Sequence, residues 1–542
     1  MPDQFQKKFS IRSVLCFFLL IFCFLFAALR VGVLATGNLA EVQKKQSSFR
    51  ISYARPRGTI FDCEMRPLTN QTKRIVAAVS PTPRAVTTIR RILAEDSQLP
   101  AVLSALSANK PTVCTLPEPV ECDGISCTEI FDSSDHRLAL HTIGYCNAEN
   151  HGVCGLEAAF DELLYSDQTC DAVFYTDGRG NALKGLSAEF ENSASVFGNG
   201  VVTTLNADIQ SFAEQIAEQI TCGAIVVCEA ETGKLRALVS RPGFDLNRLS
   251  ESLERKDSPF LNRCLSAFSV GSVFKPCIAA AALENGYDGG IWNCTGGMTI
   301  ADRTFRCHNR SGHGLVDLSM ALAFSCNTFF YQLALSVGEQ NIYRVASSLN
   351  FGQKIRLCDG LESAAGNLPS ENKLLNPAAL ANLSIGQGEL LLSPIALTTL
   401  YCAIATDGSY RLPTLAEATL KDGVRTNMVL PHPTKVFSPE TALQLRQHLV
   451  GVIANGTGIP AKPTLCNAGG KTATAQTGHF DQNGREITHG WFCGFFPAES
   501  PKYVAVIFSE DSAGSDTAPL FADLSDRITE WMLSKEEGLS VS

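Results

Sequence analysis

The chain has 542 residues, 45% of them hydrophobic and 18% charged, which is material for two or three packed domains and too apolar for a disordered chain. A net charge of -9 and a pI near 5.6 argue against a nucleic-acid partner, because holding a phosphate backbone takes a basic surface that this balance does not supply.

The first element in chain order is an apolar run from Val14 to Leu29, preceded by Lys7, Lys8 and Arg12. Its length of ~24 Å falls short of a ~30 Å hydrocarbon core, but extension to Leu34 with Arg30 snorkelling closes the gap. We read residues 1–12 as a cytoplasmic tail and 13–36 as a single-pass anchor in the cell membrane. The basic flank stays inside, so the rest of the chain is extracytoplasmic. A cleaved signal peptide ending near Val33-Leu34-Ala35 is the competing reading.

Residues 37–200 read as a β-rich pedestal domain. Arg57-Gly58-Thr59-Ile60-Phe61-Asp62, followed by Arg66-Pro67-Leu68, predicts a short strand and a turn. Residues 80–140, with Cys114, Cys122 and Cys127, give mixed signals and no chemistry. The run from Gly155 to Asp161 has helical spacing, and Asp177-Gly178-Arg179-Gly180-Asn181 is a turn cluster. Composition changes at Val201-Val202-Thr203-Thr204-Leu205, a strand that leads through Asn206 and Asp208 into a helix to about Ile220. A second domain, 201–542, begins there. Residues 223–229 and 234–240 predict a hairpin. Helical stretches follow to about residue 453, then strands at 469–475, 490–496 and 503–508, and an amphipathic helix from about Phe521 to Leu533. Strands at both ends with helices between them predict an α+β fold, one antiparallel sheet flanked by helices.

Within this second domain, Gly271 precedes an Ala/Leu-rich helical run, so Ser272 falls at a helix start and Lys275 one turn on, on the same face. There the amine can take the proton of a hydroxyl too weak to attack unaided. Taken alone, Ser272 is equally a helix cap beside a solvated lysine. A second copy of the tetrad, Ser370-Glu371-Asn372-Lys373, follows Pro369 in a polar stretch and reads as loop. Ser325-Cys326-Asn327 joins two helical runs and can present a hydroxyl and an amide to one point. Lys471-Thr472-Ala473 opens the strand after Gly469-Gly470. Singly, Asn327 reads as a cap and Lys471 as a solvated strand residue; the ordered set, spaced 53 and 146 residues apart, carries the inference.

Twenty cysteines are many for an exported chain, and an oxidising compartment pairs most of them. No C-x-x-C occurs. Cys294, Cys307, His308 and His313 form the best zinc cue, but their spacing fits no strong finger pattern, and we assign no metal. A disulfide between Cys294 and Cys307, or free thiols in an anaerobic host, are the two readings.

The ordered set S-x-x-K, S-x-N, K-T-small resembles the penicillin-recognising serine acyltransferases and hydrolases. Ile385-Gly386-Gln387-Gly388 ahead of Leu392-Ser393-Pro394, Arg57-Gly58, Gly155-Leu156-Glu157 and Trp491-Phe492-Cys493-Gly494-Phe495 look like class B penicillin-binding proteins, the monofunctional, membrane-anchored peptidoglycan D,D-transpeptidases. The resemblance implies a serine transpeptidase/β-lactamase-like fold, with Ser272 as the acylated nucleophile and Lys275 as its base. Asn327 holds the substrate amide, and Ser325 relays a proton with Lys471. Lys471 and Thr472 meet the peptide carboxylate, and the backbone N–H groups of Ser272 and Thr474 form the oxyanion hole. It also implies stem peptides ending in D-Ala-D-Ala and β-lactams as ligands, a multi-spanning membrane glycan polymerase as partner, and no cofactor. The third motif ends in Ala473 where the family carries Gly, and a methyl there narrows the room beside the substrate. Two alternatives are a β-lactam hydrolase or sensor of the same fold and a catalytically idle cell-wall scaffold. Against the first, the Glu-x-x-Leu-Asn pattern is not met, since Glu371 to Asn376 has one residue too many. Against the second stands the intact Ser272/Lys275 pair.

Overall fold

The computed structural model describes residues 3–36, 48–132, 138–177, 183, 186–191, 198–246, 248–287 and 290–540. The expected turn cluster at 177–181 lies, Asp177 apart, outside them. The chain opens with helix α1, Asp3–Thr36, in which Ile11–Val33 is long and apolar enough to cross a membrane. Its Leu and Phe side chains are exposed rather than packed into a core. The chain divides into two compact units.

The smaller unit comprises residues 1–56, 72–132 and 166–194. It holds two three-stranded antiparallel sheets, one from Ser48–Ala54, Cys170–Tyr175 and Glu189–Glu191, the other with Thr72–Val79 between Thr112–Leu116 and Ile125–Asp132. The stretch opaque in sequence supplies helices Pro83–Ile92 and Leu99–Ser107. Ile89, Leu93, Val102 and Leu106 pack there on Ala77, Val79, Cys114 and Leu116 of the second sheet. Side chains three and four apart on a helix thus meet alternate residues on strands, and short elements of this kind leave a weak periodic signal.

The larger unit comprises residues 57–71, 133–165 and 195–542. Its first strand, Thr59–Phe61, pairs in parallel with Gly200–Thr203. Helix α2, Ala207–Ala217, starts at Asn206, whose side chain accepts from the N–H groups of Asp208 and Ile209. Next come β1 (Gly223–Glu229), β2 (Leu235–Arg241), α3 (Lys275–Glu284), α4 (Asn327–Val337), α5 (Pro394–Ala405), β3 (Gly469–Phe480), β4 (Glu486–Phe496), β5 (Tyr503–Glu510) and α6 (Gly514–Ser540). The five strands form one antiparallel sheet in the order β2-β1-β5-β4-β3, so the hairpin from the start of the unit pairs with a strand from its end.

Strand alternation divides the core in two. Ile225, Val227, Ala505 and Ile507 face α2 and α6, with Phe521 and Ile528. Ala224, Val226, Val504, Val506 and Phe508 face the lobe of α3, α4 and α5. Because both faces are covered, the strands read as unbroken apolar runs. Helix α5 is buried at all twelve positions; at ~18 Å it is a core helix, too short to span a bilayer.

Three expectations change in detail. Strands β3 and β4 extend past the predicted ends, to Phe480 and from Glu486. Helix α6 begins at Gly514 rather than near Phe521, with Asp516 accepting from the Ala513 N–H at 2.9 Å. The middle of the unit is not purely helical: Gly297–Ile300 pairs with Arg303–Arg306, and Trp292–Cys294 with Gly314–Val316. These two hairpins bracket the loop 307–313.

Candidate active site

The turn that carries Ser272 is set by two glycines. Gly271 has φ +61°, and a Cβ there would stand 3.2 Å from Ala475 Cβ and 3.4 Å from Ala473 Cβ of strand β3. Only glycine takes that bend so near another backbone. Residues Gly271–Phe274 then wind into a single 3-10 turn that feeds α3. From the other side comes Gly386, φ +70°, whose carbonyl accepts the Gly271 N–H at 2.8 Å and where a Cβ would strike the Gly271 oxygen. The Ile385-Gly386-Gln387-Gly388 motif is therefore a clamp on the Ser272 turn. Beneath it, Tyr401 of α5 donates to Val273 O at 3.1 Å.

Ser325 lies between helix Leu318–Ala323 and α4 with φ +55°, a left-handed conformation uncommon for a non-glycine residue. The bend brings its Oγ to 3.1 Å from Ser272 Oγ. Lys275 is fully buried, its Nζ 2.7 Å from Ser325 O, 3.0 Å from Ser325 Oγ and 2.8 Å from Asn327 Oδ1. Burial pushes this amine down to about 7. The hydrogen bonds of Lys471, also fully buried, go to Thr472 O at 3.1 Å and Thr457 Oγ1 at 3.4 Å. Burial, and then the charge of Lys275, hold it well below the ordinary lysine range. The hydroxyl of Ser325 is thus joined to Lys275 and Ser272, where the sequence reading joined it to Lys471. The reason is geometric: the left-handed bend at Ser325 turns its side chain toward α3 rather than toward β3.

Thr457 escaped the sequence reading. Its Oγ1 lies 2.9 Å from Thr472 Oγ1, and its N–H donates to Ala323 O at 2.9 Å. The available signal was Gly456-Thr457-Gly458 just past helix Pro439–Asn455; a Cβ on Gly456 would collide with Ala323. Thr474 Oγ1 accepts from the Gly514 N–H at 3.0 Å. Strand β3 is the edge of the sheet. The cleft beside it, about 530 Å³, is lined by Ser272, Ser325, Asn327, Thr457, Thr472 and Thr474 among others.

Ala473 differs from expectation. Lys471, Ala473 and Ala475 alternate onto the face that meets the helical lobe, and Ala473 is 3% exposed with its methyl under Gly271. The methyl packs under the Ser272 turn, and Ala473 also forms part of the cleft wall. The second Ser-x-x-Lys tetrad is one turn of helix, Glu371–Leu374, not a loop; Lys373 pairs with Glu389 at 2.5 Å, and the tetrad lines no part of the cleft. Arg57-Gly58 and Gly155-Leu156-Glu157 come together elsewhere in this unit. The buried Arg57 guanidinium meets Glu157 at 2.5 Å, Asp161 at 2.8 Å and Asn150 O at 2.7 Å.

No cysteine is joined in a disulfide, so of the two readings for Cys294 and Cys307 the structure has the thiols. Cys294, Cys307, His313 and Cys326 place their ligand atoms within 4.8 Å of one another, with Cys326 standing where the sequence cue had His308. The Asn327 N–H and the Cys326 thiol both point at Cys307 Sγ and favour its thiolate. Such a set has the donor types of a tetrahedral ion site of the Zn2+ kind.

The arrangement offers a hydroxyl on a glycine-set turn, a buried amine connected to it through a second hydroxyl, and a second buried amine, Lys471, beside two threonines at the strand edge. Those are the parts of a serine acyl-transfer site for a substrate ending in a carboxylate. Known proteins of similar sequence and structure agree. The model of the penicillin binding protein transpeptidase domain matches residues 223–526, more than half of the chain. "Peptidoglycan D,D-transpeptidase MrdA" of Acinetobacter baumannii is 27% identical over 441 residues, covering 72% of this chain and 62% of that protein. "Stage V sporulation protein D" of Bacillus subtilis is 27% identical over 399 residues, covering 69% and 59%. The chain thus spans about three fifths of the length of these two relatives. Among solved structures, the D,D-transpeptidase domain of a peptidoglycan glycosyltransferase from Eggerthella lenta superposes with a TM-score of 0.65 at 23% identity, over 88% of this chain and 99% of that one. Penicillin binding protein 3 of Mycobacterium tuberculosis, complexed with aztreonam, gives 0.64 at 24% identity, over 90% and 97%. With its motifs gathered at one cleft and its second domain matched from β1 into α6, the chain belongs to the penicillin-binding protein transpeptidases, class B.

Proposed function

We propose that this protein is a peptidoglycan D,D-transpeptidase that cross-links stem peptides through an acyl-enzyme on Ser272 and is acylated there by β-lactams. The observation that carries the reading is the chain of contacts Lys275 Nζ, Ser325 Oγ, Ser272 Oγ, at 3.0 and 3.1 Å, opening on the cleft. A neutral lysine amine has two N–H groups and one lone pair. Ser325 O and Asn327 Oδ1 take the two N–H groups, and the lone pair is left for the Ser325 hydroxyl. As Ser272 attacks the penultimate D-Ala carbonyl, its proton passes to Ser325 Oγ while the Ser325 proton passes to Lys275. The C–N bond then breaks and the terminal D-Ala leaves with that proton. An acceptor amine attacks the acyl-enzyme in the second half of the cycle.

In this reading Asn327 orients the substrate amide, and Lys471 with Thr472 and Thr457 takes the terminal carboxylate through N–H and O–H donors. The N–H groups of Ser272 and Thr474 serve as the oxyanion hole. No Asp or Glu lines the cleft among the described residues. Residues 11–33 anchor the protein as a single pass, the smaller unit serves as pedestal, and the larger unit, which takes in 57–71 and 133–165 from the stretch read in sequence as pedestal, is the catalytic domain. A multi-spanning glycan polymerase is the partner that supplies the strands to be cross-linked.

The test is mass spectrometry after treatment with benzylpenicillin. A stable penicilloyl adduct on Ser272, lost in Ser272→Ala, is expected. Rapid turnover of the adduct points to a hydrolase, and no adduct to an idle scaffold.

A further inference from the structure

The cleft carries cations that the reaction as described leaves unused. Arg306 and Arg310 line it together with His308, all from the segment at the end of hairpin Gly297–Ile300/Arg303–Arg306. Neither arginine has an ion pair with a carboxylate among the described residues, and both side chains are exposed. A solvated surface arginine is ordinary, but this pair differs in two respects.

The first is that its backbone is pinned to the catalytic motif. The Cys307 N–H donates to Gly296 O at 3.0 Å, the Asn327 N–H to Cys307 Sγ at 3.4 Å, and the Tyr331 hydroxyl to Arg306 O at 3.3 Å. The cations are thereby held in a fixed relation to Asn327, the residue next to which the upstream part of a bound peptide must run. The second is charge. Lys471, Thr472 and Thr457 provide for one carboxylate, the peptide terminus, and among the described residues the cleft has no acidic side chain to balance two further guanidinium groups.

Resting on the reading of the site as a transpeptidase, we propose that Arg306 and Arg310 form an anion subsite for a second carboxylate, carried on the acyl donor upstream of its D-Ala-D-Ala terminus. The guanidinium fork matches a carboxylate in plane, and two forks on one short segment distinguish a free carboxylate from its amide, which brings no charge. Arg306 and Arg310 are specificity residues in this scheme, outside the bond-breaking step. The enzyme prefers donor peptides whose side-chain or branch carboxylate is free over those in which it is amidated.

The experiment uses two penicillins that differ by one group, benzylpenicillin and its α-carboxy derivative carbenicillin, on the full-length protein in detergent. Second-order acylation rates are measured for the wild type and for Arg306→Gln/Arg310→Gln. Each exposed pair is a weak interaction, so the variant should lose about fivefold more rate with carbenicillin than with benzylpenicillin. The wild-type preference should shrink as salt is raised, as screening demands. A carbenicillin-to-benzylpenicillin ratio that is the same in wild type and variant overturns the subsite and leaves the transpeptidase reading standing. Failure of benzylpenicillin to acylate Ser272 in the wild type removes both.

Discussion

In the proposed mechanism, Lys275 is the base, and its protonation state controls the rate. Its burial favours the neutral amine and sets the transition near pH 7, so the base form is scarce below that value and dominant above it. Acylation by benzylpenicillin should therefore rise about tenfold per pH unit up to ~7 and then level off. A stopped-flow profile that stays flat across that range counts against Lys275 as the base. The same shift is linked to stability. Because the folded-state value lies below the unfolded one, the unfolded chain binds more protons between about pH 7 and 10.5, and the folded state gains stability as pH rises through that window. The stability of the wild type relative to Lys275→Met should increase from pH 7 to pH 10, measured by thermal unfolding. Ser325→Ala cuts the contact path at its middle and should slow acylation by about 100-fold or more, with Ser272 and Lys275 intact.

At the scale of elements, the nucleophile turn is held by parts that are remote in sequence: Gly386 from one side, Ala473 and Ala475 of β3 from the other, and Tyr401 of α5 from below. Gly386→Ala should disturb this turn and lower acylation and stability together, because the collision is with backbone at Gly271 and a left-handed φ is lost besides. Tyr401→Phe removes one buried hydrogen bond and should cost about 1 kcal/mol, read as a lowered Tm with acylation largely kept. The same elements mark how far the sequence was legible. Motif order singled out Ser272, Lys275, Ser325, Asn327 and Lys471, because each stands near a helix start, in a short link between helices or near a strand opening, places that leave a local signal. What joins Ser325 to Lys275 rather than Lys471 is a single backbone dihedral, and no local pattern encodes it. Thr457 and the inward methyl of Ala473 depend on which strand edge and which turn come face to face, a tertiary matter. The two helices at 83–107 were unreadable because each runs only ten residues or fewer and packs against a small sheet.

At the scale of the whole molecule, the Arg57 cluster ties residues 57–71 to 133–165 within the larger unit. Glu157→Ala leaves a buried guanidinium short of its main partner and should destabilise by ~3–5 kcal/mol, visible in thermal unfolding although no part of the cluster lines the cleft. Anchoring by Ile11–Val33 predicts that the full-length protein stays with membranes after a carbonate wash and keeps its N-terminal residues on sequencing.

The order of the strands in the central sheet also sets a clock. Strand β1 is complete early in synthesis of the larger unit, yet its neighbour in the sheet is β5, as in the pairing of Glu229 with Tyr503, about 270 residues later. At ~5–20 residues per second the first hairpin waits roughly 15 to 55 s with one edge unpaired and the apolar face turned from α2 uncovered. For that interval the growing chain carries the two hazards of an open sheet, adhesion to other chains and attack by proteases, and a folding helper that shields nascent β-edges would act on residues 223–241 before any other part of the sheet exists.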